Sequence, residues 1–93
     1  MARRFTHVRL SSGGHRVEHI THLKAVDDLD GKDYEGARAA WVGWVEEGNT
    51  GYTRDRYGNS AKVEVVAPGT GPKYLRTVGD GTTSDNLLSL PRF

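Results

Sequence analysis

Hydrophobic and polar residues alternate along several short stretches of the chain, and this period of two predicts β-strands. The first stretch covers residues 5–10, and an extended stretch over residues 16–26 follows the turn-forming sequence Ser11–Gly14. Because glycine tolerates the positive φ of tight connections, the two stretches predict a β-hairpin. In the expected register Leu10 lies opposite Val17, and a slip of one residue would exchange the two faces.

A helical period replaces the alternation in the middle of the chain. Apolar side chains recur there at the i, i+3, i+4, i+7 and i+8 spacing of an amphipathic α-helix. These side chains are Ala37, Ala40, Trp41, Trp44 and Val45. Asp33 is expected to cap the helix, Glu35 to lie in its first turn and Gly48 to end it in a left-handed conformation.

Alternation returns in the second half of the chain. Residues 52–55 and 61–66 flank the turn sequence Arg56–Asn59 and predict a second hairpin, and residues 73–78 predict a further strand. We therefore expect a single domain over residues 1–93 with an α+β fold. Its antiparallel sheet of four to five strands follows the order ββαββ, and the amphipathic helix packs on one face.

Four short motifs form a distinctive pattern along the chain: Ile20–Leu23, Lys73–Thr77, Asp80–Gly81 and Asp85–Phe93. Together with the helix around Trp44, this pattern resembles a family of short bacterial and phage-associated proteins catalogued as domain of unknown function 3892. The resemblance runs from about residue 5 to the end of the chain, and the C-terminal stretch is its most specific part. It implies a small stand-alone protein, and it implies no activity, cofactor or site residue.

Composition excludes some classes of function. The 93 residues include no cysteine, which excludes disulfides and thiolate chemistry, and their formal net charge of +1 does not by itself indicate a nucleic-acid or membrane partner. Basic residues outnumber acidic ones by five to one over residues 1–24, and acidic residues outnumber basic ones by seven to two over residues 25–50. Without a signal-peptide pattern or an apolar run of about 20 residues, we expect a soluble, cytoplasmic protein.

Acidic and imidazole side chains were considered as metal ligands. Asp80 and Asp85 supply only part of the oxygen series of a calcium loop, and Asp85 is better interpreted as the cap of a short helical turn. Structural zinc sites usually include cysteine, so half-exposed strand histidines are the preferred interpretation of the four imidazoles, and no metal or cofactor is expected. These imidazoles belong to His7, His15, His19 and His22.

Two sets of residues are candidates for a binding surface. Tyrosine and arginine on a sheet face can stack bases and hold phosphates, and the same residue types are enriched in protein–protein interfaces. The first set comprises Tyr52, Arg54, Arg56, Tyr57, Lys73, Tyr74 and Arg76. The second set is apolar and is expected to pack on its own domain or on a second copy. It comprises Leu87, Leu88, Leu90 and Phe93.

Spacing alone identifies no catalytic set, because triads are recognised by geometry. The favoured hypothesis is therefore a small non-enzymatic interaction module that binds a protein partner or itself. The alternative is a weak nucleic-acid-binding protein that uses the tyrosine and arginine residues of a sheet face.

Overall fold

Six strands and one α-helix are found in the described residues, 2–78 and 86–93, of the computed structural model. There are also two short 3-10 helices. One precedes the second strand, and the other begins the C-terminal tail (residues 86–93). In chain order the elements are β1 (Ala2–Leu10), a 3-10 helix (Val17–His19), β2 (Ile20–Asp27), β3 (Asp33–Ala37), α1 (Arg38–Glu46), β4 (Thr50–Arg54), β5 (Ser60–Val66), β6 (Tyr74–Thr77) and a 3-10 helix (Asn86–Ser89). Neither α1 nor a 3-10 helix of these ranges is long and apolar enough to cross a membrane.

The strands form one mixed sheet in the order β3-β2-β1-β4-β5-β6. Every neighbouring pair is antiparallel except β1 and β4, which run parallel from Ala2 opposite Thr50 to Arg4 opposite Tyr52. The expected α+β class is confirmed, but the expected antiparallel sheet of four to five strands in ββαββ order is wrong. The observed order is βββαβββ, because α1 carries the chain back to the free edge of β1.

Strand β3 occupies residues that the sequence assigned to the start of the helix. Asp33 pairs with Val26 instead of capping a helix, and α1 begins after Ala37 without a side-chain cap. Close packing explains the difference, since a Cβ on Gly36 would lie 3.3 Å from the indole nitrogen of Trp41. That indole donates a hydrogen bond to a backbone oxygen of β2, so tertiary contacts override the local helix signals.

The first hairpin has a different register from the one expected. Leu10 lies opposite Ile20 instead of Val17, because residues Val17–His19 form a 3-10 helix within a long connection. The ring nitrogen of His19 accepts two backbone N–H bonds from this connection and fixes its shape. The second hairpin is confirmed, because β4 and β5 are antiparallel neighbours joined by a turn.

The hydrophobic core lies between the sheet and α1. The tail closes the same side, and Trp44 and Val45 pack against the core while remaining partly exposed. Gly48 ends the helix with φ of +100°, as the sequence predicted. The fully buried apolar residues are Phe5, Val8, Ile20, Leu23, Ala25, Trp41, Val42, Val63, Leu75 and Leu87. The opposite side of the sheet, here called the outer face, has no helix over it within the described ranges.

One buried ion pair fixes the β1–β2 end of the sheet. Asp27 is only 2% exposed, and its carboxylate accepts a bond of 2.9 Å from Nε of Arg3 and a bond of 2.8 Å from the N–H of Leu29. The Arg3 guanidinium lies 3.8 Å from the ring centre of Tyr34. The hydrogen bond from Arg3 holds the pKa of Asp27 below its ordinary value.

Candidate functional site

One group of outer-face side chains surrounds Tyr52. Alternation turns every second residue of a strand to this face, and the register places Arg4 of β1 and Lys62 of β5 on either side of Tyr52. Neighbouring strands lie about 4.8 Å apart, so Arg4 and Lys62 are the nearest outer-face neighbours of Tyr52 on the two adjoining strands. Arg54 lies farther along β4, with its guanidinium 5.5 Å from the ring centre. We call Arg4, Tyr52, Arg54 and Lys62 the tyrosine group.

The orientation of the Tyr52 ring is fixed by its hydroxyl. The hydroxyl donates to the Asp28 carboxylate, with oxygen–oxygen distances of 2.7 and 3.0 Å. Burial and this hydrogen bond raise the pKa of Tyr52 above its ordinary value, so the phenol is neutral at physiological pH. The ring is therefore uncharged, with the Asp28 carboxylate at its hydroxyl and the Arg54 guanidinium 5.5 Å from its centre.

A second group of outer-face side chains surrounds Phe93. The Arg9 guanidinium lies 4.5 Å and the Lys24 ammonium 4.7 Å from the ring centre, which is the range of a cation–π contact. The His7 ring meets Phe93 edge-on at 6.4 Å. We call His7, Arg9, Lys24 and Phe93 the phenylalanine group.

Backbone hydrogen bonds to β1 place Phe93 in this group. Val8 donates to the carbonyl of Pro91 at 3.0 Å and accepts from the N–H of Phe93 at 3.3 Å. The tail thereby forms a short parallel bridge beside β1, with Arg92 opposite Val8. In addition, Nε of Arg9 donates to the Phe93 carbonyl at 3.0 Å.

Most cations of the two groups have no acidic partner. Nζ of Lys24 lies 4.0 Å from Oε1 of Glu35, at the distance limit of an ion pair. The other ion pairs of residues 2–78 and 86–93 involve cations outside the two groups. The acids that alternate onto the outer face lie on β3 and β5, and Asp28 lies at the hydroxyl of Tyr52, whereas the outer-face positions of β1 and β4 carry arginine and no acid. Among the described residues, no Asp or Glu side chain lies within 4.0 Å of the cationic nitrogens of Arg4, Arg54 or Lys62, whereas Nε of Arg9 donates to the main-chain oxygen of Phe93.

The structure divides the tyrosine and arginine set that the sequence singled out. Tyr52 and Arg54 share the outer side of β4, whereas Tyr74 and Arg76 lie on β6, with β5 in between. Lys73 is elsewhere, since its ammonium lies 2.7 Å from a carboxylate oxygen of Glu46 on α1. The remaining two residues, Arg56 and Tyr57, lie in the β4–β5 turn, where Tyr57 is 76% exposed.

Sequence reasoning missed five residues that complete the two groups, four of them in the first 24 positions of the chain. Strand β1 carries an alternating pattern, because Arg4 directly precedes the core residue Phe5 and Arg9 directly follows the core residue Val8. The bulge between Phe5 and His7 shifts the alternation by one residue and hides this signal. The residues that were missed are Arg4, His7, Arg9, Lys24 and Lys62.

The apolar tail packs within its own chain. Leu87 is fully buried, Leu88 and Leu90 contact the core, and Phe93 lies on the outer face. The four residues therefore do not form one continuous apolar surface. The helix cap or calcium ligands that the sequence offered at Asp80 and Asp85 lie outside the described residues.

The four histidines occupy two places. His7 and His22 lie on the outer face, and each Nδ1 is 3.0 Å from the hydroxyl of the preceding threonine. His15 and His19 lie together in the first connection, with ring centres 5.8 Å apart. Across residues 2–78 and 86–93, no group of three or more histidine or carboxylate side chains is arranged to hold a metal ion.

Fold and site together define a small α+β domain whose mixed sheet is covered on one face and basic and aromatic on the other. Residues 4–91 match the model of the family described as Protein of unknown function (DUF3892), so the chain belongs to this family. The resemblance seen in the sequence is thereby confirmed. No curated protein and no solved structure matches the chain.

Proposed function

We propose that this chain is a non-enzymatic binding module that holds a single-stranded nucleic acid on its outer face. The observation that carries the proposal is the pair of aromatic rings on that face, Tyr52 beside the guanidinium of Arg54 and Phe93 beside the cations of Arg9 and Lys24. Proteins that bind single strands combine a basic surface, which holds the phosphates, with aromatic side chains on which bases stack. Both parts of this arrangement are present here on one sheet face.

The spacing of the two groups favours a flexible single strand. Tyr52 lies opposite Arg4, and Arg92, the residue before Phe93, lies opposite Val8; four residues of a strand span about 13 Å. An unpaired strand can bring two of its bases to the two rings, whereas the bases of a duplex are stacked on each other and cannot reach them. The acids on β3 direct the phosphates towards β1 and β4.

A protein partner or a second copy, bound through the sheet face or the apolar tail, was the hypothesis favoured by the sequence. The packing of Leu87, Leu88 and Leu90 against the core leaves the sheet face as the surface for such a partner. The exposed large apolar side chains of the described ranges, Leu29, Tyr57 and Val78, lie in three separate places. The experiment therefore also tests for a protein partner, by asking whether an acidic peptide competes for the outer face.

The experiment measures fluorescence anisotropy with labelled single strands of DNA and RNA of about 12 nucleotides and with a matched duplex. We expect the single strands to bind more tightly than the duplex. Affinity should fall with salt, with a slope of log K against log salt of about −0.7 for each phosphate contact. The double variant Arg4→Gln/Lys62→Gln should reduce the size of this slope by about 1.4.

A matched control removes a cation from the other side of the molecule. Lys73→Gln disrupts an exposed ion pair with Glu46, far from the two rings, and should leave affinity and salt slope unchanged. Absence of binding to every strand at low salt would refute the proposal. If a poly-glutamate peptide binds tightly and the nucleic acids do not, the outer face binds an acidic protein partner instead.

A further inference from the structure

A cleft opens where β4 and the tail separate. Both run parallel to β1 on the same side, β4 beside residues 2–4 and the tail beside Val8. Between the end of β4 and the tail lies a cavity of about 330 Å³. This volume is within the range of small-molecule sites, of about 300–1,000 Å³.

The two walls of this cleft differ in chemistry. The hairpin side is lined by Arg54, Asp55 and Arg56, and the tail side is lined by Asn86 and Ser89. Leu90 and Pro91 add an apolar part to the tail side. A charged group with an attached flat or apolar body is the type of ligand that such a combination fits. We call it the arginine cleft.

The carboxylate of Asp55, the acidic residue of the arginine cleft, already accepts hydrogen bonds from its own turn. Asp55 accepts hydrogen bonds from the backbone N–H groups of Tyr57 and Asn59 and from the side-chain amide of Asn59, at 2.8 to 3.1 Å. The bonds from Asn59 hold the pKa of Asp55 below its ordinary value, so this carboxylate stays charged and turned towards the loop. The two arginines therefore leave the cleft positive.

A larger cavity, of about 470 Å³, lies beside α1 and was considered as an alternative site. The ammonium of Lys73 at its edge is already paired with Glu46 at 2.7 Å. The arginine cleft also adjoins the tyrosine group, because Arg54 belongs to both. Of these two cavities, the arginine cleft is therefore the one that is continuous with the tyrosine group.

We infer that the arginine cleft binds the terminal phosphate of a single strand that lies on the outer face. The inference rests on the proposed function and adds the part of the strand that is recognised. A terminal phosphate monoester carries a charge of about −1.5 to −2 at pH 7, whereas an internal phosphodiester carries one negative charge. Two guanidinium groups match the doubly charged end, and the adjoining base contacts Leu90 and Pro91.

The test compares three strands of one sequence, with a 5′-phosphate, with a 3′-phosphate and with hydroxyls at both ends. We expect one phosphorylated strand to bind about tenfold more tightly than the hydroxyl strand, since charge-assisted hydrogen bonds to arginine are strong. Arg56→Gln should bring this ratio close to one. Arg4→Gln, which alters the outer face away from the cleft, should weaken all three strands and leave the ratio unchanged.

Each outcome of this comparison decides between the two proposals. Equal affinity of the three strands would overturn the inference and leave the proposed function standing. A preference that persists in Arg56→Gln would also overturn it, because the terminal phosphate would then bind elsewhere. Absence of binding to all three strands would overturn the proposed function and the inference together.

Discussion

Gly51 of β4 is a position where a single methyl group has a large expected effect. A Cβ added there would lie 3.2 Å from Cζ and 2.5 Å from Cε2 of Phe5, and the shorter distance is closer than such atoms approach in folded proteins. The Phe5 ring is 1% exposed and meets the Trp41 ring edge-on at 5.1 Å, so it cannot move away freely. The Gly51→Ala chain must displace either the ring or β4 by about 1 Å to reach ordinary contact.

The expected cost is that of overpacking a filled core, about 1–3 kcal/mol in the free energy of unfolding. For a domain of this size each kcal/mol lowers the melting temperature by about 4–8 °C. Gly43 provides a control of opposite sign, because nothing lies within 4 Å of its added Cβ. Gly43→Ala in the middle of α1 should stabilise the chain by up to about 1 kcal/mol.

Urea unfolding followed by tryptophan fluorescence measures both effects, since Trp41 lies against the Phe5 ring. A smaller side chain at the ring position should relieve the clash, so the double variant Phe5→Leu/Gly51→Ala should lose less stability than the two single variants added together. The interaction free energy should be about 0.5–3 kcal/mol. An unchanged midpoint for Gly51→Ala, or strict additivity in the double variant, would refute the packing argument.

Two further predictions concern the tail and the buried ion pair. Leu87→Ala should lower the free energy of unfolding by about 2–5 kcal/mol, whereas Leu29→Ala, at a side chain 84% exposed, should change it by less than about 0.5 kcal/mol in the same urea titration. The pKa of Asp27 is lowered by folding, so its contribution to stability is present above the unfolded value near 3.9 and is lost as the pH falls through the folded value. The Asp27→Asn variant should therefore have a lower melting temperature than the original chain at neutral pH. This difference in melting temperature should shrink at about pH 2. A constant difference at all pH values would contradict the stabilising role of the Asp27 carboxylate.

The sequence predicted those parts of the fold that local patterns determine. The helical spacing of Trp41, Trp44 and Val45 and the turn before β5 were correct, because residues close in the chain determine both features. Strand β3 was missed, since Asp33 and Glu35 also fit the first turn of a helix. Only its pairing with β2 decides the matter.

Contacts between distant residues could not be predicted in the same way. The parallel pairing of Arg4 with Tyr52 depends on where α1 returns the chain, and the position of Phe93 depends on the bridge between the tail and β1. Both groups of the outer face combine residues from opposite ends of the sequence. For this reason the candidate site was only half visible before the sheet order was known.

The parallel pairing also has a consequence for the newly made chain. Strands β1, β2 and β3 can form a meander as soon as residues 2–37 exist, but the other edge of β1 has no partner until β4 is made. At about 5–20 residues per second, synthesis from residue 10 to residue 50 takes about 2–8 s. An open strand edge invites pairing with other chains, and basic side chains on the edge discourage it. Strand β1 carries such basic side chains at Arg4 and Arg9 while this edge is open.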